Sequence, residues 1–328
     1  MTRSRIVRWI AAVAVLASVV VPLTAAEAAP APVKADDGAR VTEEVRVDAR
    51  MVDLRIESPA LGRSAWVRLL VPRGWDADRT RVWPTLWLLH GCCADVDYKS
   101  WTEYTDVAAF TADKDVLVVL PSDGRAGMYS AWWNFGMSNK PDWEAFHLNE
   151  VRQIVERGYG AGPKRSVAGL SIGGYGALAY TFRHPGMFAA AASYSGMPNT
   201  MLYGIPNFIQ GILMREGLPA YNLWGSEFLQ RARWIARNPY DNVEALRGTK
   251  LYISSGNGSA GPLDKPGAFD IIEPLSYLSS RTFTDRLKQR GIPVTTNYYG
   301  NGTHSWPYWE RELHASWPTL AAGLGLPA

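Results

Sequence analysis

Short, nearly continuous apolar runs punctuate the chain at Thr85–Leu89, Val116–Leu120, Ser166–Ala168, Phe188–Tyr194, Leu251–Ser254 and Val294–Tyr299. Runs without polar alternation belong to strands covered on both faces, the pattern of a parallel sheet. Segments with helical character fall between most of them, for example Trp143–Arg157 after Pro141-Asp142, Tyr175–His184 before Pro185 and Thr282–Arg290 before Gly291. This alternation predicts an α/β fold, a mostly parallel central sheet with helices on both faces. Upstream, Val45–Ile56 and Ala65–Val71 are β-rich and separated by Ser58-Pro-Ala-Leu-Gly, which predicts an antiparallel pair at the sheet edge. Residues 198–242 offer no strand, carry glycines and aromatics, and lie between two sheet strands; they read as a helical cap insertion.

The N-terminus follows a different pattern. Arg3, Arg5 and Arg8 precede an apolar run from Trp9 to Leu23 and the small-residue site Ala26-Glu27-Ala28. That is the layout of a secretory signal peptide over residues 1–28, too short in its apolar part to span a bilayer comfortably. The expected mature chain starts near Ala29 and is secreted to the cell envelope or beyond. Ala29–Arg40 is Pro/Ala-rich and charged without apolar periodicity, so it reads as a flexible leader before a single domain over 41–328. Removing residues 1–28 takes away three arginines and one glutamate, leaving a nearly neutral chain. No basic stripe with interleaved aromatics is present, so no nucleic-acid partner is expected. The two cysteines are adjacent, Cys92 and Cys93. Neighbouring Cα atoms lie closer than an ordinary bridge needs, so two half-buried thiols are expected and the core must hold the fold.

Candidate chemistry centres on Gly169-Leu-Ser-Ile-Gly, a G-x-S-x-G pentapeptide with a strand before it and the helix-compatible run Gly174-Tyr-Gly-Ala-Leu-Ala-Tyr after it. In that context the motif is a nucleophile elbow, and Ser171 is the candidate nucleophile. A serine hydroxyl needs a base, the base needs an orienting acid, and the oxyanion needs preorganised donors. Of the five histidines, His304 lies just after the last strand, where this chain order of Ser, Asp/Glu and His puts the base. His147 and His314 sit in helical patterns, and His184 stands at a helix end where it can serve the last carbonyls. The acid should follow the strand Leu251–Ser254; Asp264, Asp270 and Glu273 all qualify on position, while Asp285 falls in an amphipathic helix. The oxyanion donors expected are the N–H of Ile172, the residue after the nucleophile, and that of Cys92 in the loop His90-Gly91-Cys92. No metal-ligand spacing or phosphate loop is present, so neither metal nor cofactor is expected.

Gly169-Leu-Ser-Ile, Trp224-Gly225, Gly256-Asn-Gly and above all Asn301-Gly-Thr-His-Ser-Trp-Pro-Tyr-Trp resemble the actinobacterial mycolyltransferases of the antigen 85 complex and the secreted esterases around them. The likeness runs over essentially the whole mature chain and includes Glu57-Ser-Pro-Ala-Leu-Gly-Arg and Tyr98-Lys-Ser-Trp101. It implies an α/β-hydrolase fold, puts the acid on Glu273, and puts the oxyanion donors on Cys92 and Ile172. Trp306 keeps the family's aromatic beside the base. Where those mycolyltransferases carry an aspartate and an arginine for trehalose, this chain has His90 and Cys93. His90 and Trp306 are therefore the candidate substrate-binding residues.

The resulting expectation is a secreted serine acyltransferase that moves a long, mycolate-like acyl chain through an acyl-serine to a carbohydrate or envelope acceptor. Its substrate would be an acyl ester or glycolipid met in peripheral contact with the cell envelope. The alternative is a carboxylesterase with the same triad and water as acceptor. A third, a binding protein, is argued against by the intact Ser171, Glu273 and His304.

Overall fold

The computed structural model describes residues 33–328 apart from Arg79 and Asp95. The signal-peptide assignment and residues 29–32 lie outside the described residues. Among the described residues nine strands form one sheet: β1 (Arg40–Arg46), β2 (Met51–Ser58), β3 (Arg63–Leu70), β4 (Trp83–Leu89), β5 (Leu117–Pro121), β6 (Ala161–Leu170), β7 (Ala190–Tyr194), β8 (Lys250–Ser255) and β9 (Thr295–Tyr298). The spatial order is β1-β2-β3-β5-β4-β6-β7-β8-β9. Pairs up to β3–β5 are antiparallel, and those from β5–β4 to β8–β9 are parallel.

Both faces of the parallel strands are apolar and both are covered. Along β4, Trp87 and Leu89 enter the core on one face, and Leu86 and Leu88 enter the core on the other. The first face packs α1 (Ile172–Arg183), α2 (Ile205–Arg215) and α3 (Glu273–Gln289) through Leu178, Ile209 and Phe283; the second packs α4 (Trp306–Leu324) through Leu313 and Leu320. Hydrophobic burial on both sides explains why the strands read as continuous apolar runs. Among the described residues no helix is long and apolar enough to cross a membrane.

Three boundaries differ from expectation, one of them the start of α3, which begins at Glu273 rather than Thr282. Val45–Ile56 is two strands, broken where Asp48 Oδ1 accepts the backbone N–H groups of Arg50 and Met51 at 2.7 and 2.8 Å, an Asx turn within a β-rich run. Residues 33–40 are part of the domain rather than a free leader. Ala35 and Ala39 are buried, Ala35 N–H donates to Ala39 O at 2.8 Å, and the Arg157 guanidinium donates to Lys34 O at 2.7 Å. Small alanines can be buried without any visible apolar period.

The segment 198–242 lies between β7 and β8 and contains α2 and the short helix Arg231–Ile235. It reaches back toward the first half of the sheet: Arg215, at the end of α2, places Nη2 2.7 Å from Cys93 Sγ.

Candidate active site

Ser171 stands at the carboxyl end of β6, in the turn that starts α1. Its φ of 53° and ψ of −122° put a non-glycine residue in a disfavoured region, a conformation that costs on the order of 1–3 kcal/mol and persists where surroundings enforce it. The flanking glycines are required by contact: a Cβ on Gly169 would stand 2.2 Å from Gly173 O, and one on Gly173 would stand 2.4 Å from both Leu89 O and His90 O. Ser171 N–H donates to Tyr194 O at 2.9 Å, which ties the turn to the end of β7. The serine is half-buried, and Ile172 behind it is the first residue of α1, so its N–H belongs to the helix's positive end.

The candidate acid and base meet one strand further on. His304 Nδ1 donates to Glu273 Oε2 at 2.7 Å. Glu273 is fully buried, and its Oε1 accepts from Ser195 Oγ and Ser255 Oγ at 2.8 Å and from Gly256 N–H at 2.7 Å. Ser195 follows β7 and Ser255 ends β8, so the carboxylate is seated on the carboxyl edge of the sheet beside the strand that ends in Ser171. Occupation of Nδ1 leaves Nε2 as the nitrogen for proton transfer. Burial, followed by the charge of Glu273, pushes the neighbouring Tyr299 phenol far up, so it stays protonated.

The histidine loop is clamped from below. Asn257 N–H donates to Gly300 O at 2.8 Å, Gly258 N–H to Gly302 O at 2.9 Å, and Gly302 N–H to Ser259 O at 2.7 Å. These are the Gly256-Asn-Gly and Asn301-Gly-Thr-His stretches, laced together. Asp264 accepts from Tyr308 Oη at 2.8 Å and from Thr303 Oγ1, which braces the same loop. Asp270 caps α3, its Oδ1 accepting from Ile272 N–H and Glu273 N–H at 2.7 and 2.8 Å. Neither aspartate touches His304; of the three acids allowed by position, Glu273 is the one that does.

Three expectations need correction. Cys92 and Cys93 are joined in a disulfide across a cis peptide with Cα atoms 3.3 Å apart, where thiols were expected from trans geometry. His90 is not open to substrate: its ring is buried, with Nδ1 2.6 Å from Gly91 O and Nε2 3.1 Å from Asp97 Oδ2. The ring against the base belongs to Trp309 rather than Trp306. Trp309 meets His304 edge-on at 5.0 Å and donates from Nε1 to Ser195 Oγ at 3.0 Å. Trp306 is half-buried, stacked on Tyr104 at 5.1 Å and edge-on to Trp101 at 5.5 Å.

Sequence reasoning missed Ser195 and Ser255, although a signal existed: both parallel strands end in Ser-Gly, at Ser195-Gly196 and Ser255-Gly256. The remaining histidines have other partners. Burial pushes the His147 imidazole down to about 3, its Nδ1 meeting Tyr180 Oη at 2.6 Å. His184 pairs with Glu144 and His314 with Asp106.

Beside Ile172, Met128, Ile172, Tyr175, Phe208, Ile209 and Ile212 line an apolar space of about 10 Å³, room for a single water. A wider cleft of about 770 Å³ is lined by Ala94 and Asp97 together with Trp66, Tyr98, Trp132 and Lys140, among others.

An elbow serine and a histidine–glutamate pair on the carboxyl edge of such a sheet are the arrangement found in the α/β-hydrolase fold. Residues 58–320 match the model of the Esterase family, and the chain belongs to that family, the group that includes the antigen 85-type mycolyltransferases. An esterase of Mycobacterium tuberculosis is 30% identical over 267 residues, covering 78% of this chain. The chain spans 56% of that relative's length. The diacylglycerol acyltransferase/mycolyltransferase Ag85B of Mycolicibacterium smegmatis is 29% identical over 285 residues, 83% of this chain and 85% of its own. Among solved structures, Mycobacterium tuberculosis MPT51 superposes with a TM-score of 0.70 at 23% identity, over 81% of this chain and 96% of that one. The fold is thus that of the α/β-hydrolases.

Proposed function

We propose that the protein is an exported serine esterase that hydrolyses acyl esters. Ser171 Oγ attacks the ester carbonyl while His304 Nε2 takes its proton; Glu273 holds the imidazole and balances the charge it gains. The carbonyl oxygen becomes an oxyanion facing the N–H groups of Cys92 and Ile172. Collapse expels the alcohol, which takes the proton from His304, and leaves an acyl-Ser171. Water, deprotonated by His304, then releases the acid and restores the serine.

The observation that carries this reading is the buried Glu273–His304 pair on the same sheet edge as the left-handed Ser171. The signal-like N-terminus supports export.

A second reading, transfer to a carbohydrate or envelope acceptor, is favoured by the likeness to the mycolyltransferases and by the wide cleft beside the oxyanion loop. The test compares p-nitrophenyl esters of increasing chain length, with and without trehalose, glucose or glycerol, and quantifies free acid against transferred product. The esterase reading expects free acid to dominate with every acceptor at every chain length turned over. Efficient sugar acylation would overturn it in favour of the transferase.

A further inference from the structure

Three consecutive carbonyls leading into the Cys92 loop are each held by a side chain. Trp101 Nε1 donates to Leu89 O at 3.2 Å, the Tyr129 hydroxyl donates to His90 O at 2.8 Å, and His90 Nδ1 donates to Gly91 O at 2.6 Å. Nδ1 faces a carbonyl oxygen, so it carries a hydrogen in either protonation state of the ring. In a trans peptide the C=O and N–H point in opposite directions. Holding Gly91 O therefore fixes the direction of Cys92 N–H.

The far end of the ring is anchored as well. Nε2 lies 3.1 Å from Asp97 Oδ2 and 3.0 Å from the N–H of Asp123. Asp97 is buried, and it accepts from Ser122 Oγ at 2.8 Å, Asp123 N–H at 2.9 Å and Tyr98 N–H at 2.8 Å. The loop so held rests on the nucleophile: a Cβ on Gly91 would stand 2.6 Å from Leu170 Cδ1 and 3.3 Å from Ser171 Cβ.

We propose that His90, braced by Asp97, is a positioning residue for the oxyanion hole, fixing the Gly91–Cys92 peptide plane so that Cys92 N–H is preorganised for the developing charge. Such donors act because they need no reorganisation during reaction. The proposal rests on Ser171 being the nucleophile and Cys92 N–H an oxyanion donor.

The test pairs two variants of the full chain, assayed on p-nitrophenyl butyrate. His90→Asn places an amide donor at the Nδ1 position; His90→Gln places it at the Nε2 position and leaves Gly91 O unheld. His90→Gln should lower kcat on the order of 10²-fold with KM within about threefold, at an unchanged circular dichroism spectrum. His90→Asn should recover most of that loss. Equal kcat in the two variants, or wild-type kcat in His90→Gln, would overturn the proposal. If either variant fails to fold, Tyr129→Phe replaces it; it loses only the hydroxyl on the adjacent carbonyl and should lower kcat about tenfold, and unchanged kcat would count against the proposal. Ser171→Ala run in parallel separates the two claims. Activity in that variant sinks the nucleophile assignment, whereas an inactive Ser171→Ala beside equal Asn and Gln variants sinks only the role of His90.

Discussion

Two carboxylate–histidine pairs flank the elbow, and they differ in what the second ring nitrogen meets. In Glu273–His304 the acid is buried and holds Nδ1, which leaves Nε2 for the chemistry proposed above. In Asp97–His90 both ring nitrogens are engaged, one with Gly91 O and one with Asp97, and the ring is sealed. On the proposed reading the same chemical couple is an acid–base device when one nitrogen is left over, and a bracket when none is. Residue type alone does not separate the roles; the partner of the last nitrogen does.

The comparison is broken most severely at the serine that the first pair serves. Ser171→Ala should abolish turnover, a loss on the order of 10⁴ to 10⁶, while the melting temperature stays near wild type, because one small hydroxyl is removed. Substantial ester hydrolysis by that variant would end the account of both pairs.

Next is the first acid. Glu273→Gln should cost about 10³ to 10⁴ in kcat by leaving His304 without its anion. Asp270→Asn should change kcat by less than about threefold, since asparagine caps a helix as well as aspartate does. If Asp270→Asn were the crippled variant, Glu273 would not be the orienting acid.

The second acid should matter less. Asp97→Asn keeps volume and an acceptor, and should lower kcat by roughly tenfold. Burial raises the Asp97 carboxyl, but the charge and hydrogen bond of His90 and the hydrogen bonds of Ser122 and Tyr98 outweigh it and hold it below its ordinary value of 3.8. A depressed value means that its stabilisation is present above 3.8 and is lost as pH falls through the folded value. The stability gap between wild type and Asp97→Asn, read by denaturant unfolding, should therefore narrow in acid. A gap that widens would reverse the sign assigned to the pair.

A third buried acid, remote from catalysis, supplies a control. Burial, with Asp37 nearby, pushes Glu150 up to about 7 against the hydrogen bonds it accepts from Ser58 Oγ and Ala60 N–H. A raised acid costs stability as pH climbs from the unfolded value of 4.5 through the folded one. Between pH 5 and 7.5 the wild-type melting temperature should drop relative to Glu150→Gln by roughly 2–4 °C, with kcat alike in both. Parallel melting curves would remove Glu150 from the pH dependence.

The two pairs also differ in how far they could be read from the chain. Ser171 and His304 stand out in the sequence because the constraints on such candidates are local: an elbow needs glycines within two residues, and in this chain order the base is expected after the last strand. Glu273 shared its position with Asp264 and Asp270, and only resemblance separated them, because its partners Ser195 and Ser255 come from other strand ends. The first turns of α3 were hidden for a related reason. Ser276, Ser279 and Ser280 are fully buried yet look polar, with Ser280 Oγ donating to Gly196 O, so the apolar period begins only near Thr282. His90 invited a substrate role because it replaces a sugar-binding residue of the resembled family. Its partner Asp97 sits in a short helical turn with no periodic signal. The parallel strands were the easiest part, since burial on both faces writes itself directly into composition.

The central claim is a covalent acyl-Ser171 raised by the Glu273–His304 pair. Rapid quenching of the enzyme during turnover of p-nitrophenyl butyrate, followed by peptide mapping by mass spectrometry, tests it most directly. The account predicts a butyryl group on the Ser171 peptide in wild type and none in Ser171→Ala. Turnover with no acylated peptide, or acylation of a different residue, would contradict it.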